Sequence, residues 1–135
     1  MTSQAQAPQG WQQVTLGSGI EMALPPDAVP GGGAVVDSSA GFFGGPDYVI
    51  TYDIGRYGEN VEGLAGEQGF EQRTVQSGGF SWAVASFVPS DEEAAWATVA
   101  QAELAPGQTI TIRVSCTGRE GCSDLADDVL ASVHA

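Results

Sequence analysis

The segment 109–116 constrains the fold more than any other part of the sequence, because its side chains alternate strictly between apolar and polar. The apolar members and then the polar members are Ile110, Ile112, Val114 and Cys116, and Thr109, Thr111, Arg113 and Ser115. A period of two residues is typical of a strand that buries one face. The residues just before it, 105–108, contain Pro106-Gly107 and predict a tight turn. We therefore expect an antiparallel partner strand ahead of this turn.

The residues ahead of the turn, 95–104, have two interpretations. Ser90 followed by Glu93 is the pattern of a capping box, which favours a helix. Every second residue from Trp96 to Leu104 can instead share one face of a strand. Because a strand here would have 109–116 as a ready antiparallel partner, we predict a strand over 95–104.

Four other segments carry strand patterns. They are 20–24, 48–54, 70–76 and 80–88. Pro25-Pro26 ends the first of them, since proline cannot donate a ladder hydrogen bond. Ser77-Gly78-Gly79 predicts a hairpin between the last two. The glycine-rich stretch 27–46 is expected to be a loop.

The last predicted element is a helix over 123–133. Its apolar side chains, which fall within one arc of the helix, are Leu125, Ala126, Val129, Leu130 and Val133. Ser123 can cap the helix, and Asp124 lies near the positive end of its dipole. The apolar arc predicts that the helix packs on the sheet.

The only two cysteines, Cys116 and Cys122, are expected to form a disulfide. Cys116 belongs to the inward face of its strand, and projecting the helix back by one residue places Cys122 near the middle of the apolar arc. Two glycines between them allow a tight loop. Such a bond is typical of an exported protein, and the alternative is two free buried thiols.

The charge balance restricts the partners that this chain can bind. It has 17 acidic residues, four arginines and no lysine, with a formal net charge of −13. Nucleic acid and anionic membrane surfaces both require a cationic patch, so neither is expected as a partner. No apolar run approaches the ~20 residues of a membrane span. The negative electrostatic field of such an acidic chain attracts a basic protein or a cation as a partner.

Catalytic motifs are not recognisable in the sequence, and we expect neither an enzyme nor a cofactor or metal. His134 is the only histidine and stands next to the last residue, where a general base is poorly held. Because the chain has no lysine, catalysis through a lysine Schiff base is excluded. Asp53, Glu59 and Glu62 lie near one another in sequence but mark no substrate cleft.

Several short motifs resemble small exported proteins of Gram-negative bacteria, periplasmic proteins or lipoproteins that are distant relatives of the PsbP-like group. The motifs are Leu24-Pro25-Pro26, Asp37-Ser38, Tyr52-Asp53-Ile54-Gly55-Arg56-Tyr57, Val114-Ser115-Cys116, Cys122, Ala126 and Val129-Leu130-Ala131-Ser132-Val133. The resemblance implies an antiparallel sheet flanked by helices. Members of that wider fold act by binding, as photosystem subunits, as a nuclear-import factor or as immunity proteins.

Together these patterns predict an α+β fold, in which a single antiparallel sheet is flanked by helix as in a PsbP-like α/β/α sandwich. We expect a flexible tail over residues 1–9 and one domain over 10–135. Residues 1–10 lack the basic start and apolar stretch of a signal peptide, so a periplasmic or secreted location implies a leader absent from this chain.

The expected function is that of a non-catalytic exported protein that binds another protein. One alternative is an immunity protein that neutralises a secreted bacterial toxin, and another is a small-ligand or cation-binding module. The candidate binding residues are Phe42, Phe43, Asp53, Arg56 and Tyr57. Aromatic residues in a glycine-rich loop must pack inward or bind something, and arginine and tyrosine often carry interface energy.

Overall fold

Strands dominate the described part of the chain, which contains one α-helix near its C-terminal end. The computed structural model describes residues 10–16, 19–30, 40–55, 62–77, 79–89, 94–118 and 120–134. The strands are β1 (Gln12–Thr15), β2 (Glu21–Leu24), β3 (Val29–Pro30), β4 (Ala40–Gly44), β5 (Tyr48–Gly55), β6 (Gln68–Ser77), β7 (Phe80–Val88), β8 (Trp96–Ala105) and β9 (Gln108–Cys116). The helix α1 spans Cys122–Ser132, and a short 3-10 helix spans Glu62–Gly66.

Seven strands form one antiparallel sheet in the order β3-β4-β5-β9-β8-β7-β6. The alternating segment 109–116 is β9, which lies at the centre of the sheet between β5 and β8. The strand predicted over 95–104 is confirmed as β8, because β7 and β9 pair with it on either side. The predicted hairpin is also confirmed, as β6 and β7.

One face of this sheet carries the main hydrophobic core. Its largest fully buried side chains include Trp82, Trp96, Ile50, Ile110 and Ile112. Helix α1 and the two-stranded sheet β1-β2 both pack over this face, through side chains such as Leu130 and Met22 that belong to the same core cluster. The predicted packing of the C-terminal helix on the sheet is therefore confirmed.

The two-stranded sheet is fastened to the C-terminal end of the chain. The backbone of Glu21 exchanges two hydrogen bonds with that of His134, at 2.7 and 2.9 Å. Two residues along the strand, the Ala23 amide donates to the Ser132 hydroxyl at 2.9 Å. These bonds hold β2 beside the end of α1, so that both cover the same face of the large sheet.

The opposite face of the sheet, which we call the outer face, is covered over β7 and β8. There Ala85, Phe87, Ala97 and Val99 form a second buried cluster. Leu64 of the 3-10 helix and Phe70 of β6 pack against it. The segments 84–87 of β7 and 96–100 of β8 are therefore buried on both faces, which explains their nearly continuous apolar sequence.

The disulfide between Cys116 and Cys122 is present, with a Cα–Cα separation of 5.9 Å. It joins the last residue of β9 to the first residue of α1, and both cysteines are buried. The predicted helix cap at Ser123 is wrong. The cap position is Gly121, in a left-handed conformation with φ of 79°, and the Ser123 hydroxyl accepts a 3.3 Å hydrogen bond from the Trp96 indole.

The predicted fold class is wrong. The described residues form a mostly β protein with two antiparallel sheets and one α-helix, rather than a single sheet flanked by helices in an α/β/α sandwich. The second sheet arises because β1 and β2 pair with each other and lie over the core beside α1. The loop predicted over 27–46 also contains two strands, β3 and β4, because β4 pairs with β5. The tail predicted over 1–9 lies outside the described residues.

Candidate functional site

Three large apolar side chains of the described residues are well exposed, and all three lie on the outer face near one edge of the sheet. They are Val29, Phe42 and Val49, with 62%, 47% and 43% of their surface exposed. Val29 and Val49 both pair with Gly44, and directly paired residues share a face. Phe42 lies two residues from Gly44 on β4 and therefore shares that face. We call these three residues the outer-face patch.

A depression of about 430 Å³ adjoins the outer-face patch. Its wall includes Pro46, Val49, Thr51, Ala94 and Ser115. Val49 thus belongs to both the patch and the depression. The two features form one continuous surface that combines the apolar patch with hydroxyl groups from two strands.

Arg113 contributes the cationic group of this depression. Its guanidinium carbon lies 5.4 Å from the centre of the Phe87 ring, which is a cation–π distance. Its Nε also donates to the Ser115 hydroxyl at 3.4 Å. The side chain is therefore held against the sheet, half-buried at the boundary between the depression and the covered cluster of the outer face.

Acidic residues flank the patch. Asp27 precedes β3, Asp47 lies in the β4–β5 turn and Asp53 lies on β5, and all three are exposed. Asp53 shares the outer face with Val49, because the two are four residues apart on one strand. This edge of the sheet therefore combines an exposed apolar centre with exposed carboxylates.

Tyr48 links one of these carboxylates to the depression. Its hydroxyl donates a 2.6 Å hydrogen bond to Asp27 and its ring contributes to the wall. Burial of the ring, and then the hydrogen bond and the negative charge of Asp27, raise the pKa of the Tyr48 hydroxyl well above its ordinary value. The tyrosine therefore stays protonated and fixes the segment before β3 against β5.

The structure separates the residues that the sequence predicted to be a binding site. Phe42 and Asp53 lie on the outer face at the patch. Phe43 does not, since it is 9% exposed and stacks on Tyr52 in the core, with ring centres 6.1 Å apart. The remaining two predicted residues, Arg56 and Tyr57, lie outside the described residues.

Sequence reasoning missed Val29, Val49 and Arg113 as members of the candidate site. A signal was present for two of them, because Val49 and Arg113 occupy the polar positions of the alternating strands β5 and β9. Val49 is an apolar residue on the polar face of its strand, and Arg113 is a cation on the same face, so both were candidates for a surface site. Val29 had no such signal, since its strand has only two residues and its place is set by pairing with β4.

The cation-binding alternative receives no support from the described residues. Among them, no three His, Cys, Asp or Glu side chains lie close enough to hold a metal ion. A second depression on the outer face, of about 280 Å³, is lined by polar groups such as Gln101, Glu103 and Thr109.

No helix in the described ranges is long and apolar enough to span a membrane.

The comparisons with known sequences provide no relative from which a function could be transferred. No protein-family model matches the chain, and no curated protein matches it. The resemblance to PsbP-like proteins therefore stays a prediction.

Proposed function

We propose that this protein is a non-catalytic exported protein that binds another protein through the outer-face patch and the adjoining depression. The observation that carries the proposal is that Val29, Phe42 and Val49, the large apolar side chains most exposed in the described part, share one face and one edge of the sheet. Scattered exposed apolar residues need no explanation, but an apolar cluster with a polar rim is typical of a protein interaction site.

The charge distribution supports a basic partner. The chain carries a net charge of −13, and Asp27, Asp47 and Asp53 flank the patch. A partner segment with an apolar centre and a cationic rim matches both features, because complementary charge speeds encounter and fixes orientation. Rim charges of this kind act mainly through the association rate, so binding is expected to weaken as salt is added.

The disulfide supports the exported location. Cys116 and Cys122 are bonded to each other, and structural disulfides persist mainly in oxidising compartments such as the periplasm or the cell exterior. This support is independent of the binding surface, so the location and the site are separate parts of the proposal.

The test is affinity capture from a periplasmic extract, followed by measurement of the affinity of each captured protein. The variant Phe42→Ser/Val49→Ser should lower the affinity of the true partner about tenfold or more, because interface anchors contribute more than about 1.4 kcal/mol. The control is Thr74→Ala, an exposed residue on β6 at the opposite edge of the same sheet, which should leave the affinity unchanged.

Two results would contradict the proposal. One is a partner that binds the folded Phe42→Ser/Val49→Ser variant as tightly as the unmodified protein. The other is a capture in which no protein binds reproducibly at physiological salt.

A further inference from the structure

The outer edge of β6 is the longest strand edge of the sheet without a neighbour in the described residues. Strand β6 has ten residues and pairs with β7 alone. The other edge strand, β3, has two residues and ends in Pro30, which cannot donate a ladder hydrogen bond. A long edge with unpaired backbone groups is a template for a further strand. Of the two described edges of this sheet, β6 therefore offers the one better suited to strand addition.

The side chains of β6 restrict which strand can be added. Glu71 pairs with Ser86 and Arg73 with Val84, so the two charged residues share the face that carries α1. Both are exposed. Any strand added at this edge must place suitable side chains opposite one negative and one positive group, two residues apart.

We propose that β6 pairs antiparallel with β6 of a second copy of this chain, around a two-fold axis at Gln72. In that register Glu71 of each copy lies directly opposite Arg73 of the other, which makes two opposite-charge pairs. Directly opposed charges of unlike sign stabilise a strand pair, and like charges destabilise it. The chain therefore supplies its own complementary strand.

The neighbouring registers are worse, either because they lack the two opposite-charge pairs or because they form no regular hydrogen-bonded ladder. An axis at Glu71 opposes two glutamates, and an axis at Arg73 opposes two arginines. An axis at Thr74 places Arg73 opposite Val75 and makes no ion pair. If the two-fold axis passed between two residues, a residue whose backbone N–H and C=O point away from β7 would lie opposite one whose groups point toward β7. No regular hydrogen-bonded ladder forms in that register.

The existing contacts of β6 are compatible with this pairing. Arg73 forms an ion pair with Asp127 of α1, but a guanidinium has five N–H donors and can also bind a second carboxylate. The ladder of β6 is regular from Glu71 onward and irregular between Gln68 and Glu71. The contact is therefore short and centred on Gln72, and a cross-link at the axis is the appropriate probe.

The first experiment uses a single introduced cysteine. Cys116 and Cys122 are bonded to each other, so the thiol of Gln72→Cys is the reactive one. On the axis, two such residues lie within the Cα range of a disulfide, about 4.4–6.8 Å. Under glutathione redox buffer at physiological salt, Gln72→Cys should form a covalent dimer of twice the 13.9 kDa chain mass. Thr74→Cys is the control. In this register position 74 of one copy lies opposite Phe70 of the other, so the two introduced thiols are four residues apart along the strand.

The second experiment tests the charge pairs. In the Gln72→Cys background, Glu71→Arg should slow cross-linking about fivefold or more, because both pairs become like-charged. The double variant Glu71→Arg/Arg73→Glu restores both pairs and should recover the rate. Cross-linking of Thr74→Cys in preference to Gln72→Cys, no preference between them, or no recovery in the double variant would each overturn the proposal.

Discussion

Reduction of the disulfide tests how much of the stability of this fold depends on covalent closure. The bond closes a loop with a sequence separation of six between Cys116 and Cys122. On the loop-entropy model, a loop of this length contributes about 2 kcal/mol. Helix α1 also packs through Ala126, Val129 and Leu130, which are at most 1% exposed. That packing does not depend on the bond, so reduction should lower stability without abolishing folding.

The assays are urea unfolding and thermal unfolding of the oxidised and the reduced protein. The reduced protein should stay cooperative, with a melting temperature lower by roughly 5–10 °C. Cys116→Ala/Cys122→Ala is the control, because reductant should not shift its transition. Unfolding without reductant should expose no free thiol. An unchanged transition after reduction, or a reduced protein without cooperative unfolding, would refute the reasoning.

Two further predictions concern charge and packing. Burial, and then the charges of Asp124 and Asp127, raise the pKa of the Asp128 carboxyl above its ordinary value of 3.8. The charged form of this carboxyl therefore destabilises the fold. Asp128→Asn should raise the free energy of unfolding by about 0.3–0.5 kcal/mol at neutral pH. This gain should vanish in urea titrations near pH 3, where the carboxyl is neutral in both states, and Asp127→Asn should show no gain because it removes an ion pair with β6. Phe43→Ala should lower the free energy of unfolding by about 3 kcal/mol, whereas the exposed Phe42→Ala should change it by less than about 0.5 kcal/mol; equal losses would contradict their assigned faces.

Much of the strand content was predictable because side chains alternate along a strand whatever it pairs with. The pattern of β9 was sufficient to identify a half-buried strand, and the turn before it predicted β8 as its antiparallel neighbour. The same alternation placed Cys116 on the inner face, and with Cys122 on the apolar arc of α1 the disulfide followed. These inferences depend on local periodicity alone.

The candidate site was less predictable, since Phe42 and Phe43 are chemically identical neighbours. In a strand, adjacent side chains point to opposite faces, and the pairing of β4 with β5 decides which ring is buried. Nothing local to the two residues distinguishes them. The glycines around them predicted a loop, and only the pairing shows that this segment is a strand.

By itself, the sequence determined β2, the strands β5 to β9, the C-terminal helix, the paired cysteines and an acidic composition, because these depend on periodicity, spacing and charge. The tertiary structure decided that β1 and β2 form a separate sheet over the core. It also decided that Leu64 and Phe70 cover the outer face where β7 and β8 carry their buried cluster, and that the patch near β3 stays exposed. The reason is that coverage depends on contacts between segments distant in sequence, and local patterns do not record which segments meet.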